Sequence, residues 1–124
     1  MKQRFILFAA IISMISLLLY GCAKQQRLKC RDNLKQVGVA LAMYADDNKG
    51  YMPKSLSSDE FEAYGYPGFS NCPIKNVSYE YNFIPKLYII KDPNNTIVVR
   101  CNCHKGYELV LYADGYVEAT TRKK

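Results

Sequence analysis

An apolar run from Phe5 to Tyr20, broken only by Ser13 and Ser16, is followed at Cys22 by a polar stretch of changed periodicity. From Gln26 to about Asp47, Cys30, Leu34, Val37, Leu41 and Tyr44 recur at spacings of four, three, four and three. That is one stripe of a 3.6-residue period, and it predicts an amphipathic helix with Lys29, Arg31, Asp32, Lys35 and Gln36 off the stripe. Gly38 inside it costs about 1 kcal/mol relative to alanine, which points to a close approach of another backbone. Asp46-Asp47-Asn48-Lys49-Gly50, with Pro53 beyond, ends the helix.

Ser55 to Ser70 carries acidic residues and then Tyr64-Gly65-Tyr66-Pro67-Gly68-Phe69, the composition of a loop with room for one helical turn. Its aromatic residues are expected to cap a core edge. After Asn76 the pattern becomes short β runs: Val77 to Phe83, Lys86 to Ile90, Thr96 to Cys103, Glu108 to Tyr112 and Tyr116 to Thr120. Asp114-Gly115 between the last two is a hairpin signal. A two-residue turn there would pair Tyr112 with Val117 and Val110 with Ala119. The apolar face so formed needs a cover, and the first helix is the only long amphipathic element available. The expected architecture is α+β: a long N-terminal amphipathic helix packed across a small antiparallel sheet.

The front of the chain has the order of a secretory signal, with Lys2 and Arg4 ahead of a short apolar core and a small residue at a cleavage point. Leu19-Tyr20-Gly21-Cys22 resembles the lipobox of a bacterial lipoprotein. That resemblance divides the chain into a signal peptide (1–21), a lipidated tether (22–27) and one α+β domain (28–124), with Cys22 carrying a thioether-linked diacylglycerol. Ala23 in place of Asp then permits transfer to the outer membrane, with the inner membrane as the alternative. The competing reading is an uncleaved membrane helix, since Phe5 to Gly21 is at the short edge of the roughly 17–25 residues that span a bilayer. Both readings make membrane lipid a partner. The net charge of +6 falls to +4 without Lys2 and Arg4, too mild for a nucleic-acid binder. Lys24, Arg27, Lys29 and Arg31 lie where a tethered segment meets anionic headgroups.

Five cysteines in 124 residues suit an oxidising compartment. With Cys22 committed to lipid, Cys30, Cys72, Cys101 and Cys103 are disulfide candidates with three possible pairings. Strand alternation places Ile97, Val99, Cys101 and Cys103 toward the helix stripe that holds Cys30, whereas a direct Cys101–Cys103 bond is barely permitted by an extended strand and easily by a turn. Cys101-Asn102-Cys103-His104 also invites a metal reading. In a continuous strand, however, His104 faces away from the two thiols, and structural zinc requires a fourth ligand, Cys72 or Cys30. The default for His104, the single histidine, is an exposed loop position. Asp46, Asp47 and Asn48 read as a polar helix end in preference to a calcium loop, which would need a bidentate Glu. No nucleophile–base pair, phosphate loop or paired buried carboxylates can be assembled, so neither an enzyme nor a cofactor is implied.

Cys30-Arg31-Asp32-Asn33-Leu34-Lys35-Gln36-Val37-Gly38-Val39-Ala40-Leu41, Met43-Tyr44-Ala45-Asp46-Asp47-Asn48-Lys49-Gly50-Tyr51-Met52-Pro53, Cys72-Pro73, Ser78-Tyr79-Glu80-Tyr81-Asn82 and Leu111-Tyr112-Ala113-Asp114-Gly115-Tyr116-Val117-Glu118 occur in one order. As a set they resemble the pseudopilin-like domains (type II secretion pseudopilin G-like) of planctomycete- and lentisphaera-type bacteria. The resemblance implies a pilin-like head, a Cys30–Cys72 disulfide, and a non-enzymatic structural or binding role beside envelope or secretion-system proteins. The prepilin leader, with its Phe-Thr-x-x-Glu, is replaced by the lipobox, and Tyr116 stands where the family has His in Asp-Gly-His-Val-Glu. These departures argue against assembly into a standard pseudopilus. The alternative from a different class is a thiol-redox or metal protein working through Cys101, Cys103 and His104.

Overall fold

The computed structural model describes residues 2–121, save the side chains of Lys2, Arg4, Phe5 and Ala23. The expected charged n-region and the sorting residue therefore lie, as side chains, outside the described residues.

The apolar run and the amphipathic segment form one element. Helix α1 (Lys2–Asp47) runs for 46 residues without a break at Cys22. Proline first appears at Pro53, so nothing in the sequence of α1 removes a hydrogen-bond donor from its interior. At about 1.5 Å per residue it is roughly 70 Å long. Its two halves have opposite surroundings. Ile6, Leu7, Phe8, Ile11, Ile12, Met14, Ile15, Leu17, Leu18 and Leu19 are all more than half exposed. Cys30, Asn33, Leu34, Val37, Ala40, Leu41 and Ala45 are buried against the domain. The expected stripe holds, with Ala40 and Ala45 added and Tyr44 at its half-buried margin. The helix stops where the polar cluster predicts: Lys49 and Gly50 turn left-handed, and the Gly50 amide donates to the Ala45 carbonyl at 2.7 Å.

A four-stranded antiparallel sheet covers that buried face, in the order β1 (Glu80–Tyr81), β2 (Ile97–Cys101), β3 (Tyr107–Tyr112), β4 (Val117–Thr121). The expected α+β architecture is thus observed. Val99, Cys101, Leu109, Leu111 and Val117 share its inner face, as the register Val99↔Leu111↔Val117 and Cys101↔Leu109 requires. Leu111 lies beneath Gly38, where an added Cβ would sit 3.1 Å from its Cδ1. The close approach expected at Gly38 is therefore chiefly to the Leu111 side chain, with the Gly115 backbone at 3.9 Å.

Several local expectations are corrected. The β3–β4 hairpin pairs Leu111 with Val117 and Val110 with Glu118, one residue away from the two-residue-turn register. Gly115, at φ +87°, closes a three-residue loop in which Tyr112 N donates to Tyr116 O and Gly115 N to Tyr112 O. This register sends Leu109 and Leu111 inward, as β-pleating demands. Lys86–Ile90 is not a strand but a bridge at Lys86 followed by a 3-10 turn, Leu87–Ile89. Its backbone is used elsewhere, because Leu87 N donates to Gly50 O and Met52 N to Pro85 O. Of Val77–Phe83 only Glu80–Tyr81 is strand, with Asn82 N adding a bond to Val98 O, because ahead of it Tyr79 N donates to Ser70 O and Cys72 N to Val77 O. Ser55–Ser70 is a loop around one short helix, α2 (Asp59–Glu62), capped by Ser58. Phe61 and Phe69 from it are fully buried, so the aromatic loop closes the core edge as expected.

A buried sulfur cluster as candidate functional site

Four cysteines from distant parts of the chain meet at one end of the helix–sheet interface. Cys30 comes from the stripe of α1 and Cys101 from the last position of β2. Cys72 opens a tight turn whose closure, Asn76 N to Cys72 O at 2.7 Å, uses a left-handed Asn76. Cys103 follows on the loop after β2. The Sγ separations are 3.5 Å for Cys30–Cys101, 3.9 Å for Cys30–Cys72, 2.8 Å for Cys72–Cys103 and 2.9 Å for Cys101–Cys103. None of these separations is the roughly 2.05 Å of an S–S bond. The pair implied by the family resemblance, Cys30–Cys72, has the longest of these four separations. The helix-to-strand approach of Cys101 to Cys30 that alternation predicts is present. Cys22 stands apart, exposed on α1 and eight positions before Cys30, about 12 Å along the axis.

His104 joins the cluster. Because β2 ends at Cys101, residues 102–104 curl instead of alternating, and the imidazole is brought to the same side as the thiols. It is 8% exposed, which corrects the expectation of an exposed loop histidine. Its ring stacks on Tyr107 at 4.8 Å between centroids and 7° between planes, and the Arg27 guanidinium lies 4.2 Å from the centre of Tyr107. Burial first, then the charges of Arg27 and Lys75, lower its pKa and keep the ring neutral. A ligand atom of His104 and the sulfurs of Cys30, Cys72 and Cys101 all lie within 4.8 Å of one another.

Asn33, one turn from Cys30, organises the surround. Its Nδ2 donates to Phe69 O at 2.8 Å, Asn71 O at 3.1 Å and Tyr79 Oη at 2.7 Å, and Tyr66 Oη donates to its Oδ1. The Tyr79 hydroxyl is in turn 3.9 Å from the Cys30 sulfur. Burial pushes the Tyr79 phenol pKa well above its usual value, opposed in part by Asn33. The Cys101 thiol is raised by its hydrogen bond with Cys30 and then by burial; burial and the Cys101 and Cys72 thiols raise Cys103. Thiols held protonated in this way are weak nucleophiles. Sequence reasoning passed over Asn33, although its spacing of three from Cys30 places it on the buried stripe.

The polar cluster at the helix end is occupied by local contacts. Asp46 accepts from Tyr88 Oη, Asp47 accepts from Tyr64 Oη at 2.8 Å, and Asn48 Nδ2 donates to Tyr44 O at 2.8 Å. The two aspartates tie α1 to neighbouring loops, and Asn48 folds back onto the last turn of α1.

Among the described residues, α1 is the one helix long and apolar enough to cross a membrane, and that stretch is unburied by the protein itself. The chain matches no protein-family model, no curated protein and no solved structure in the three comparisons made.

Proposed function

We propose that this protein is a non-enzymatic, membrane-tethered component of a bacterial envelope, presenting a pseudopilin-like domain as a structural or binding module. The division of α1 carries the reading. An exposed apolar half at the front of a helix has no counterpart in the domain, while the other half is the domain's own core. A lipid phase supplies the missing apolar partner, since roughly 25 cal/mol is lost for each Å² of apolar surface left in water. A stalk continuous with a head over an antiparallel sheet is the design implied by the pseudopilin-like sequence blocks. The role beside type II secretion or pilus-like machinery rests on that resemblance alone.

The lipobox makes Cys22 the attachment point. In that form the signal is removed, and acyl chains on Cys22 anchor the domain to the outer membrane on its periplasmic side. More than one chain is required for stable attachment. Intact-mass spectrometry of protein extracted from membranes tests this directly. The expected species begins at Cys22 and carries a diacylglyceryl adduct. A full-length chain with unmodified Cys22 replaces the lipid anchor by the retained membrane helix. Full-length protein found free in the cytosol overturns the proposal.

Thiol-redox catalysis is disfavoured by the same cluster that suggested it. Reactive cysteines need solvent access, and Cys30, Cys72 and Cys101 are buried, which supports the non-enzymatic reading.

A further inference from the structure

We infer that Cys30, Cys72, Cys101 and His104 form a Cys3His site for a soft divalent ion of the Zn2+ class, which locks α1 to the sheet and to the loop after Phe69. The inference does not depend on how the protein is anchored.

The donor set has the correct chemistry and number. Structural zinc takes four thiolate or imidazole ligands in a closed tetrahedron, and Cys3His is one of its usual sets. With Zn–S bonds of about 2.3 Å, a tetrahedron places its sulfurs about 3.8 Å apart. Cys30 lies 3.5 Å from Cys101 and 3.9 Å from Cys72, on either side of that edge. Cys103, 2.8 and 2.9 Å from the Cys72 and Cys101 sulfurs, is not among the four donors gathered within 4.8 Å of one another and is left as a neighbour. Two disulfides would also consume the four sulfurs, but they leave the imidazole unexplained. His104 Nε2 is buried without a hydrogen-bond partner, and so is Asn102 Oδ1 on the same loop. Buried polar atoms are nearly always paired, so two unpaired ones on one four-residue segment call for a reason. An ion beside that segment supplies one for the histidine.

Charge and access agree with this. Binding displaces three thiol protons, and a dication on three thiolates and a neutral imidazole carries a net charge of −1. Arg27, stacked over Tyr107 against His104, and Lys75 bring positive charge to the same place. A cleft lined by Lys75, Val77, Ser78, Glu80, Cys101 and Cys103 offers a path in. The ligands come from α1, the Cys72 turn and the segment after β2, so one ion joins three parts of the chain far apart in sequence.

The experiment is a titration of Co2+, then Zn2+, into full-length protein in detergent, with thiols reduced and oxygen excluded. One ion per chain is expected, with the visible bands of tetrahedral cobalt, thiolate charge-transfer absorption for three sulfurs, and release of about three protons. Cys103→Ser keeps both stoichiometry and spectrum. His104→Ala shifts the visible bands and weakens binding by more than the roughly 10–100-fold that loss of an outer-shell partner costs. The wild-type titration stands even where a variant fails to fold. Substoichiometric uptake by the reduced wild type overturns the site. So does a spectrum unchanged in folded His104→Ala, or protein isolated from membranes with two disulfides and unable to bind the ion after reduction.

Discussion

Asn33 is a buried amide, 4% exposed, on a helix face otherwise lined by Cys30, Leu34 and Val37. Its two N–H groups are shared among three acceptors on the segment from Phe69 to Tyr79, and its carbonyl accepts from Tyr66. Replacing it by alanine takes that donor from the buried Phe69 carbonyl, the half-buried Asn71 carbonyl and the buried Tyr79 hydroxyl. Each buried unpaired group costs about 1–3 kcal/mol, so Asn33→Ala should destabilise the domain by roughly 2–4 kcal/mol in urea unfolding followed by circular dichroism. Asn33→Asp keeps the shape and reverses the chemistry, setting a carboxylate against carbonyl oxygens. Desolvation and those acceptors raise its folded pKa above the unfolded value of about 3.9. The protonated form can donate again, so stability should be greatest at acid pH and fall as pH rises through the folded pKa. A variant with no such acid recovery would mean that Asn33 acts by volume alone. Helical spacing marks Asn33 as buried, yet nothing in the sequence states that its acceptors are backbone carbonyls some 36 to 38 residues away.

At the scale of elements, the helix was legible because its period is dictated by geometry and its end by Lys49 and Gly50. The strands were less so. Lys86 to Ile90 is as rich in apolar residues as a true strand, but its backbone groups bond to Gly50 and, through Pro85, to Met52. Competition for backbone partners is settled by tertiary structure and leaves no mark on a short stretch of sequence. The hairpin was found and its register missed by one, since Asp-Gly suits a two-residue turn and equally the last two positions of a three-residue loop. The sulfur cluster was half legible: the approach of Cys101 to Cys30 follows from alternation, whereas the return of His104 follows from the end of β2, which alternation cannot supply. Gly38 tests the fit between the two layers. Alanine there gains about 1 kcal/mol of helix propensity and brings Cβ to 3.1 Å from a terminal methyl of Leu111, which can give way. Gly38→Ala should therefore lie within about 1 kcal/mol of wild type. Gly38→Leu must displace Leu111 from beneath the helix, and a loss of about 1–3 kcal/mol is expected in the same unfolding experiment. Equal stability of the two variants would show that helix and sheet are less closely apposed than Leu111 requires.

For the molecule as a whole, the question is what the exposed half of α1 meets. Ile12 is 66% exposed near the middle of the apolar run, and Val39 is 61% exposed on the half of the helix that belongs to the domain. The two residues have similar chemistry and similar exposure and differ in the phase they face. An acidic residue near the centre of a membrane-inserted helix costs about 2.5–3.5 kcal/mol, whereas on a watery surface it costs little. Ile12→Asp should shift the protein out of the membrane fraction and leave unprocessed chain behind. Val39→Asp should fractionate as wild type does. This holds whether the run is a signal that must enter the membrane before Cys22 is modified or a helix that remains there. Adding Cys22→Ala separates these cases. Under lipidation it blocks maturation and leaves a full-length chain held by its uncleaved helix. Under retention it changes neither length nor location. If Ile12→Asp and Val39→Asp fractionate alike, the apolar half of α1 does not face lipid, and the physical basis for a tether is gone.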